Sequence, residues 1–97
     1  MVLPELSLLQ YLALTLIDKA GEIEGQELQV LLGTRGGGER SGPAFYMFMG
    51  RLEEAEYVKQ EKEPRERTRV TFYKLTSKGR KAMKANERFY EKRGKKR

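Results

Sequence analysis

Residues 68–76 have the sequence TRVTFYKLT, in which β-branched and aromatic side chains dominate, and this composition predicts a β-strand. Residues 57–60, with the sequence YVKQ, predict a second and shorter strand. Residues 61–67 lie between them and contain Pro64 and six charged residues, which predicts a solvated loop. The two strands are therefore expected to form a β-hairpin.

Apolar residues at helical spacing predict four helices, three before the hairpin and one after it. Their predicted ranges are 4–19, 25–32, 43–56 and 77–93. Pro4 is expected in the first helical turn and Gly33 at the end of the second helix, while Ser41 and Ser77 are expected to cap the third and fourth helices. Residues 22–24 are too short for a helix and allow a one-residue β-bridge.

This order of elements predicts a mainly α protein with a small β-hairpin. Three helices followed by a hairpin are typical of the winged helix-turn-helix, with a three-helix core, a two-stranded wing and a C-terminal helix. Residues 1–93 are expected to form this single domain. Residues 94–97 are expected to be a basic disordered tail.

The charge is distributed unevenly along the 97 residues. Residues 1–50 carry three basic and six acidic side chains, a net charge of −3, whereas residues 51–97 carry seventeen basic and eight acidic ones, a net charge of +9. With a pI near 9.7, the basic half favours a polyanionic partner, although a solvated Lys/Arg/Glu surface would have the same composition. The sequence lacks a signal-peptide pattern and a bilayer-spanning apolar run, so we expect a cytoplasmic protein with no membrane partner.

The residues needed for catalysis are largely missing. The sequence has no Cys and no His, and Asp18 is its only aspartate, so the usual nucleophile, acid–base and metal constellations cannot be built. Residues 33–42 superficially resemble a phosphate-binding loop, but Glu39 stands where that motif needs Lys. We expect neither enzymatic activity nor a cofactor.

Several stretches resemble the PadR-like transcriptional regulators. Residues 52–58, LEEAEYV, resemble the end of the third helix of that family, and Tyr46 resembles its tyrosine in the same helix. Residues 73–82, YKLTSKGRKA, are similar to its strand-to-helix signature, part of which is shared with MarR-like and other winged helices. Gly25 lies where the family places the start of helix 2. The resemblance covers residues 6–90.

The resemblance implies sequence-specific binding to double-stranded DNA and allows a small-molecule effector of unknown identity. An aromatic pocket for a phenolic effector could be formed by Tyr57, Phe72, Tyr73 and Tyr90, although ordinary core packing explains the same residues. The sequence departs from the family at Glu56, where members usually have Gly before the wing strand.

Helix 3 is expected to enter the major groove and the wing to contact the DNA backbone or minor groove. The expected DNA-binding residues are Ser41, Tyr46, Gly50, Arg51, Arg65, Arg67, Arg69, Arg35 and Arg40. Strand alternation is expected to place the three wing arginines on one side, although a soluble turn would also contain them. Arg35 and Arg40 would reach phosphates beside helix 3, unless they belong only to a flexible loop.

Two apolar faces on helix 1 predict a symmetric dimer. The expected interface residues are Leu8, Tyr11, Met83, Phe89 and Tyr90, the last two because they should lie beyond the core. The alternative function is a winged helix that serves as a protein-interaction module, favoured by the few hydrogen-bond donors on the outer face of helix 3; RNA binding is a third alternative.

Overall fold

The computed structural model describes residues 5–35, 41–65 and 68–95, with side chains for all of these except 35, 63–65, 68, 69 and 91–95. The elements follow one another as α1 (Leu8–Ala20), β1 (Ile23–Glu24), α2 (Gly25–Arg35), α3 (Gly42–Glu54), β2 (Val58–Arg65), β3 (Thr68–Leu75) and α4 (Ser77–Lys95). The predicted order of three helices, a hairpin and a last helix is confirmed.

The first helix begins later than predicted, at Leu8. Ser7 is its cap: the Ser7 hydroxyl accepts a hydrogen bond from the Gln10 N–H at 3.0 Å, and the Gln10 side chain accepts one from the Ser7 N–H at 2.9 Å. This reciprocal capping box satisfies two N–H groups and fixes the start of α1. Pro4, expected in the first turn, lies outside the described residues. Gly21 ends the helix with a positive φ of 80°.

The second helix continues to Arg35, so the prediction that Gly33 ends it is wrong. A glycine inside a helix costs only about 1 kcal/mol. Leu28 and Leu32 are buried on the inner face of α2, and this packing outweighs that cost.

The strands form a three-stranded antiparallel sheet in the order β1-β3-β2. Residues 23 and 24 pair with Tyr73 and Phe72, so the expected single bridge is a two-residue strand. The second strand extends through Pro64 to Arg65, where we expected a loop. Proline is tolerated there because β2 is an edge strand, whose outward N–H groups have no partner in the sheet.

The core lies between the helices and the inner face of the sheet. The largest fully buried side chains are Tyr73, Phe45, Leu6, Leu14, Ile17, Leu28, Leu32, Met49 and Leu52. They come from α1, α2, α3, β3 and the segment before α1, so each of these elements is held by apolar burial rather than by its own hydrogen bonds alone. No helix in the described part of the chain is long and apolar enough to cross a bilayer.

A tight corner joins the end of α3, the base of the hairpin and the start of α4. Thr76, rather than the predicted Ser77, supplies the hydroxyl at the start of α4, which accepts a hydrogen bond from the Gly79 N–H at 2.9 Å. The same hydroxyl donates to the Glu56 carbonyl at 2.6 Å, and the Thr76 N–H donates to the Tyr57 carbonyl at 3.1 Å. A Cβ at Gly79 would lie 3.1 Å from the Tyr57 Cα and collide with the Tyr57 carbonyl, so only glycine fits.

Two side chains of α4 bind the main chain just before α1. The buried Asn86 accepts a hydrogen bond from the Leu6 N–H at 3.2 Å, and the Tyr90 hydroxyl donates one to the Leu6 carbonyl at 2.6 Å. The Tyr90 ring also packs 5.1 Å from the Tyr11 ring. The prediction that Tyr90 lies beyond the core is therefore wrong.

The backbone at Glu56 gives a test of this corner. Glu56 has a positive φ of 66°, a conformation that costs L-residues about 1–2 kcal/mol and costs glycine almost nothing. We expect Glu56→Gly to raise the free energy of unfolding by about 1 kcal/mol in urea denaturation. The matched control is Ala85→Gly, at an exposed position inside α4, which should lower it by about 1 kcal/mol. A loss of stability in both variants would contradict the corner geometry.

Candidate nucleic-acid interface

The third helix begins with a cap that uses most of its terminal N–H groups. The Ser41 hydroxyl accepts from the Ala44 N–H at 3.2 Å, and the Ser41 carbonyl accepts from the Phe45 N–H at 2.9 Å. Pro43 has no N–H. Within the described segment 42–45, the Gly42 N–H alone is left for an outside acceptor. The predicted cap is confirmed, and it uses the Ser41 hydroxyl as a hydrogen-bond acceptor.

The solvent face of α3 lies opposite the buried side chains of Phe45, Met49 and Leu52. Helical spacing of four, three and four residues places Pro43, Met47, Gly50 and Glu54 along the centre of this face. Met47 is 64% exposed. A Cβ built on Gly50 meets nothing within 4 Å, so Gly50 does not pack against α2.

The two flanks of this face differ. On one flank, Tyr46 is 58% exposed and its ring centroid lies 5.6 Å from that of Phe45. On the other flank, Ala44 and Arg51 are exposed and border an open groove of about 510 Å³ between α3 and the start of α1. The groove is lined by Ser7, Leu9, Gln10, Ala44, Met47, Phe48 and Arg51. Arg51 is therefore the cation of this flank.

A side-chain pair ties α3 to the hairpin. The Gln60 amide donates to both carboxylate oxygens of Glu53, at 3.1 Å each. Because residues two apart in a strand share a face, the exposed Lys62 lies on the same face of the hairpin as Gln60, next to α3. Sequence reasoning missed Lys62 because its face depends on the strand register.

The register also corrects the prediction for the wing arginines. Pro64 pairs with Arg69, and Arg65 pairs with Thr68. Paired residues share a face and successive residues alternate, so positions 65 and 69 belong to opposite faces of the hairpin. The common side expected for all three arginines is therefore wrong, because the chain reverses between the two strands. Arg67 lies outside the described residues.

The remaining predicted contacts have mixed outcomes. Gly36 to Arg40 and the side chain of Arg35 lie outside the described residues. The expected dimer residues Tyr11 and Met83 are buried within the subunit, at 6% and 8% exposure. Leu8 is 61% exposed, and Phe89 is half-buried.

Three of the four aromatic residues considered as an effector pocket have separate surroundings. Tyr73 is buried and its ring meets Phe45 edge-on at 6.4 Å, Tyr90 packs on Tyr11, and Lys78 lies 5.7 Å from the Tyr57 ring centroid. Burial raises the pKa of Tyr73 to about 12, helped by the nearby Tyr46 and Glu53. Tyr73 thus stays a neutral phenol under the base of the hairpin, as core packing requires.

An exposed third helix beside a basic hairpin defines the winged helix-turn-helix class of proteins. Residues 39–92 match the family of winged helix DNA-binding domains. The match spans α3, the hairpin and most of α4, more than half of the chain, and the chain belongs to this family. The family is one of DNA-binding domains, not of enzymes.

Solved structures with the same fold include MarR from E. coli, a protein from Thermoplasma acidophilum and NadR. A mutant of MarR from E. coli, solved with operator DNA, has a TM-score of 0.70 at 21% identity over 87% of this chain and 55% of MarR. The protein from Thermoplasma acidophilum has a TM-score of 0.77 at 22% identity, over 91% of this chain and 84% of that protein. NadR, solved with 4-hydroxyphenylacetate, has a TM-score of 0.75 at 23% identity, over 94% and 60%.

This chain thus spans little more than half of MarR and NadR. Comparison of the sequence with curated proteins finds no match.

Because the space around Gly50 is open, a substitution there can distinguish an effect on folding stability from an effect on DNA binding. Because a Cβ there meets no protein atom, Gly50→Ala should raise the free energy of unfolding by about 0.5–1 kcal/mol. If DNA approaches α3 closely at this point, the same methyl group should weaken duplex binding several-fold. Urea denaturation and fluorescence anisotropy measure the two effects on one variant. If Gly50→Ala is more stable and binds DNA with unchanged affinity, DNA does not approach α3 closely at Gly50.

Proposed function

We propose that this chain is a small transcriptional regulator that binds double-stranded DNA, with α3 in the major groove and the hairpin on the sugar–phosphate backbone. The observation that carries the proposal is the solvent face of α3. It stays uncovered in the folded subunit, with Met47 64% exposed and an open position at Gly50. The family match to residues 39–92 includes this whole face.

The residues of α3 have distinct roles in this proposal. Gly50 lets the duplex approach the helix backbone, and Arg51 donates to a base edge, with guanine its preferred partner. The Tyr46 hydroxyl donates a hydrogen bond to a phosphate at the flank of α3. Ser41 acts through its cap, which leaves the Gly42 N–H for a phosphate.

The hairpin supplies cations beside α3. Lys62 lies on the face that continues from Gln60, and the position of Arg69 belongs to the same face. These two residues are proposed to contact the DNA backbone. Arg65, Arg67, Arg35 and Arg40 remain proposed phosphate contacts from the sequence alone.

Three finer proposals accompany this function. The stretch at residues 73–82 supports a PadR-like regulator, and the corner at Thr76 and Gly79 gives a physical reason for its spacing. A regulator of this kind would act in the cytoplasm. A small-molecule effector is also proposed, since NadR was solved with 4-hydroxyphenylacetate.

A homodimer is proposed because two copies would engage two half-sites of an operator. Leu8 is the best-supported interface residue, being 61% exposed on α1. We expect light scattering at tens of micromolar to show dimers, and Leu8→Glu to convert them to monomers. Val30→Glu, at a 54% exposed position on α2, is the matched control and should leave the dimer intact. A wild-type monomer at this concentration would contradict the proposal.

The second candidate function is a protein-interaction module. The exposed side chains of Tyr46 and Met47 favour it, because large apolar groups in water are typical of protein contacts. Absence of duplex binding at low salt would favour this second function.

The salt dependence of DNA binding tests the proposed hairpin surface. Each phosphate neutralised by a lysine releases counterions, so log K falls with log salt by about 0.9 per contact. We expect Lys62→Ala to flatten this slope by about 0.9 per subunit, or about 1.8 in a dimer. Fluorescence anisotropy of a labelled duplex at several salt concentrations gives the slope.

Lys59→Ala is the matched control, because Lys59 is also exposed but lies on the opposite face of β2. It should leave the slope nearly unchanged. Equal effects of the two variants would contradict the assignment of the DNA-facing side. If deleting residues 94–97 greatly reduces the slope of log K against log salt and Lys62→Ala leaves it unchanged, the C-terminal residues and not the hairpin supply the electrostatic attraction.

A further inference from the structure

The centre of the α3 solvent face is apolar. Among the described residues, Met47 is the most exposed large apolar side chain, at 64%, and the residues one helical turn from it on this side of α3 are Ala44 and Gly50. None of these three side chains has a hydrogen-bond donor. The nearest side-chain donor on the groove flank is Arg51, one helical turn after Met47. The part of α3 that projects farthest into solvent therefore cannot bind polar base edges by hydrogen bonds.

The phosphate backbone is a poor partner for the same face. Met47 offers nothing to a phosphate oxygen, and the carboxylate of Glu54, two turns further along the same line, repels one. The net charge of +6 nevertheless attracts the domain to DNA as a whole. The solvent face of α3 thus has an apolar centre and a cation, Arg51, at its flank. This arrangement fits a major groove that has phosphates at its edges and an apolar group on its floor.

The major groove carries one such apolar group, the C5-methyl of thymine. We infer that Met47 recognises thymine methyl groups, so that the DNA preference of this domain depends on thymine in the part of the major groove that faces Met47. This inference rests on the proposed function, since it requires α3 to enter the major groove. It goes further by naming the base feature that is recognised and the side chain that recognises it.

Removing the methyl group from the DNA tests the inference without altering the protein. The full chain selects its preferred duplex from a randomised library, and that duplex is resynthesised with deoxyuridine in place of each thymine in turn. Deoxyuridine keeps every hydrogen-bonding group of thymine and lacks only the methyl. Fluorescence anisotropy then gives Kd for each duplex with wild type, Met47→Ala, Met47→Leu and Val30→Ala.

We expect deoxyuridine to raise the wild-type Kd about fourfold at one or more positions, the factor for losing one buried methyl contact. Met47→Ala should abolish this sensitivity, whereas Met47→Leu should retain it. Val30→Ala truncates a similarly exposed apolar side chain on α2 and should behave as wild type. Alanine favours helix more than methionine does, so Met47→Ala is expected to fold.

Three outcomes would overturn the inference. Wild-type Kd is unchanged by every deoxyuridine, or Met47→Ala keeps the same sensitivity, or selection enriches no thymine-containing sequence although duplexes bind. In each of these the proposed DNA binding stands. Absence of binding to any duplex at low salt would instead overturn the proposed function and the inference together, and would favour a protein partner for the apolar face.

Discussion

The structure depends on the close contact between Gly79 and the main chain of Tyr57. The end of α3, the first residue of the hairpin and the first turn of α4 meet within this contact, and the Thr76 hydroxyl binds both the Glu56 carbonyl and the Gly79 N–H. A methyl group at position 79 would push these elements apart. The contact thereby sets the direction in which the hairpin leaves the domain.

That direction matters because the hairpin and α3 must face the same partner. The bonds from Gln60 to Glu53 hold the base of the hairpin against α3, and Tyr73 fills the space beneath it against Phe45. The two surfaces are thus fixed relative to each other before any ligand arrives. A preformed arrangement of this kind binds without the entropic cost of ordering the base of the hairpin against α3.

The parts of the fold that local chemistry determines were predictable from the sequence. Apolar spacing revealed four helices, and Ser41 with Pro43 located the start of α3. The errors arose where contacts distant in sequence determine the local structure. Residues 61–65 were expected in a loop because of Pro64, but proline is allowed in β2 because that strand is at the edge of the sheet. Either Thr76 or Ser77 could have capped α4, and only the packing of Gly79 on Tyr57 selects Thr76.

The candidate site was predictable for α3 and much less so for the wing. The solvent face of a helix follows from its period, so Tyr46, Gly50 and Arg51 were found directly. The face of a hairpin residue depends on register and on where the chain reverses, which is why Lys62 was missed and why positions 65 and 69 were wrongly grouped. Asn86 was also overlooked, since a buried polar side chain on α4 has no signal in the apolar pattern.

The attachment of Leu6, two residues before α1, to α4 constrains how α4 can move relative to α1. Asn86 and Tyr90 are one helical turn apart and form hydrogen bonds with the N–H and the carbonyl, respectively, of the same residue. Sliding α4 along its axis by one turn, about 5.4 Å, would break both bonds together. The two bonds therefore fix the axial position of α4 relative to the segment that precedes α1. Leu6 is the neighbour of Ser7, which lines the groove beside α3, so the same two bonds also fix that edge of the groove.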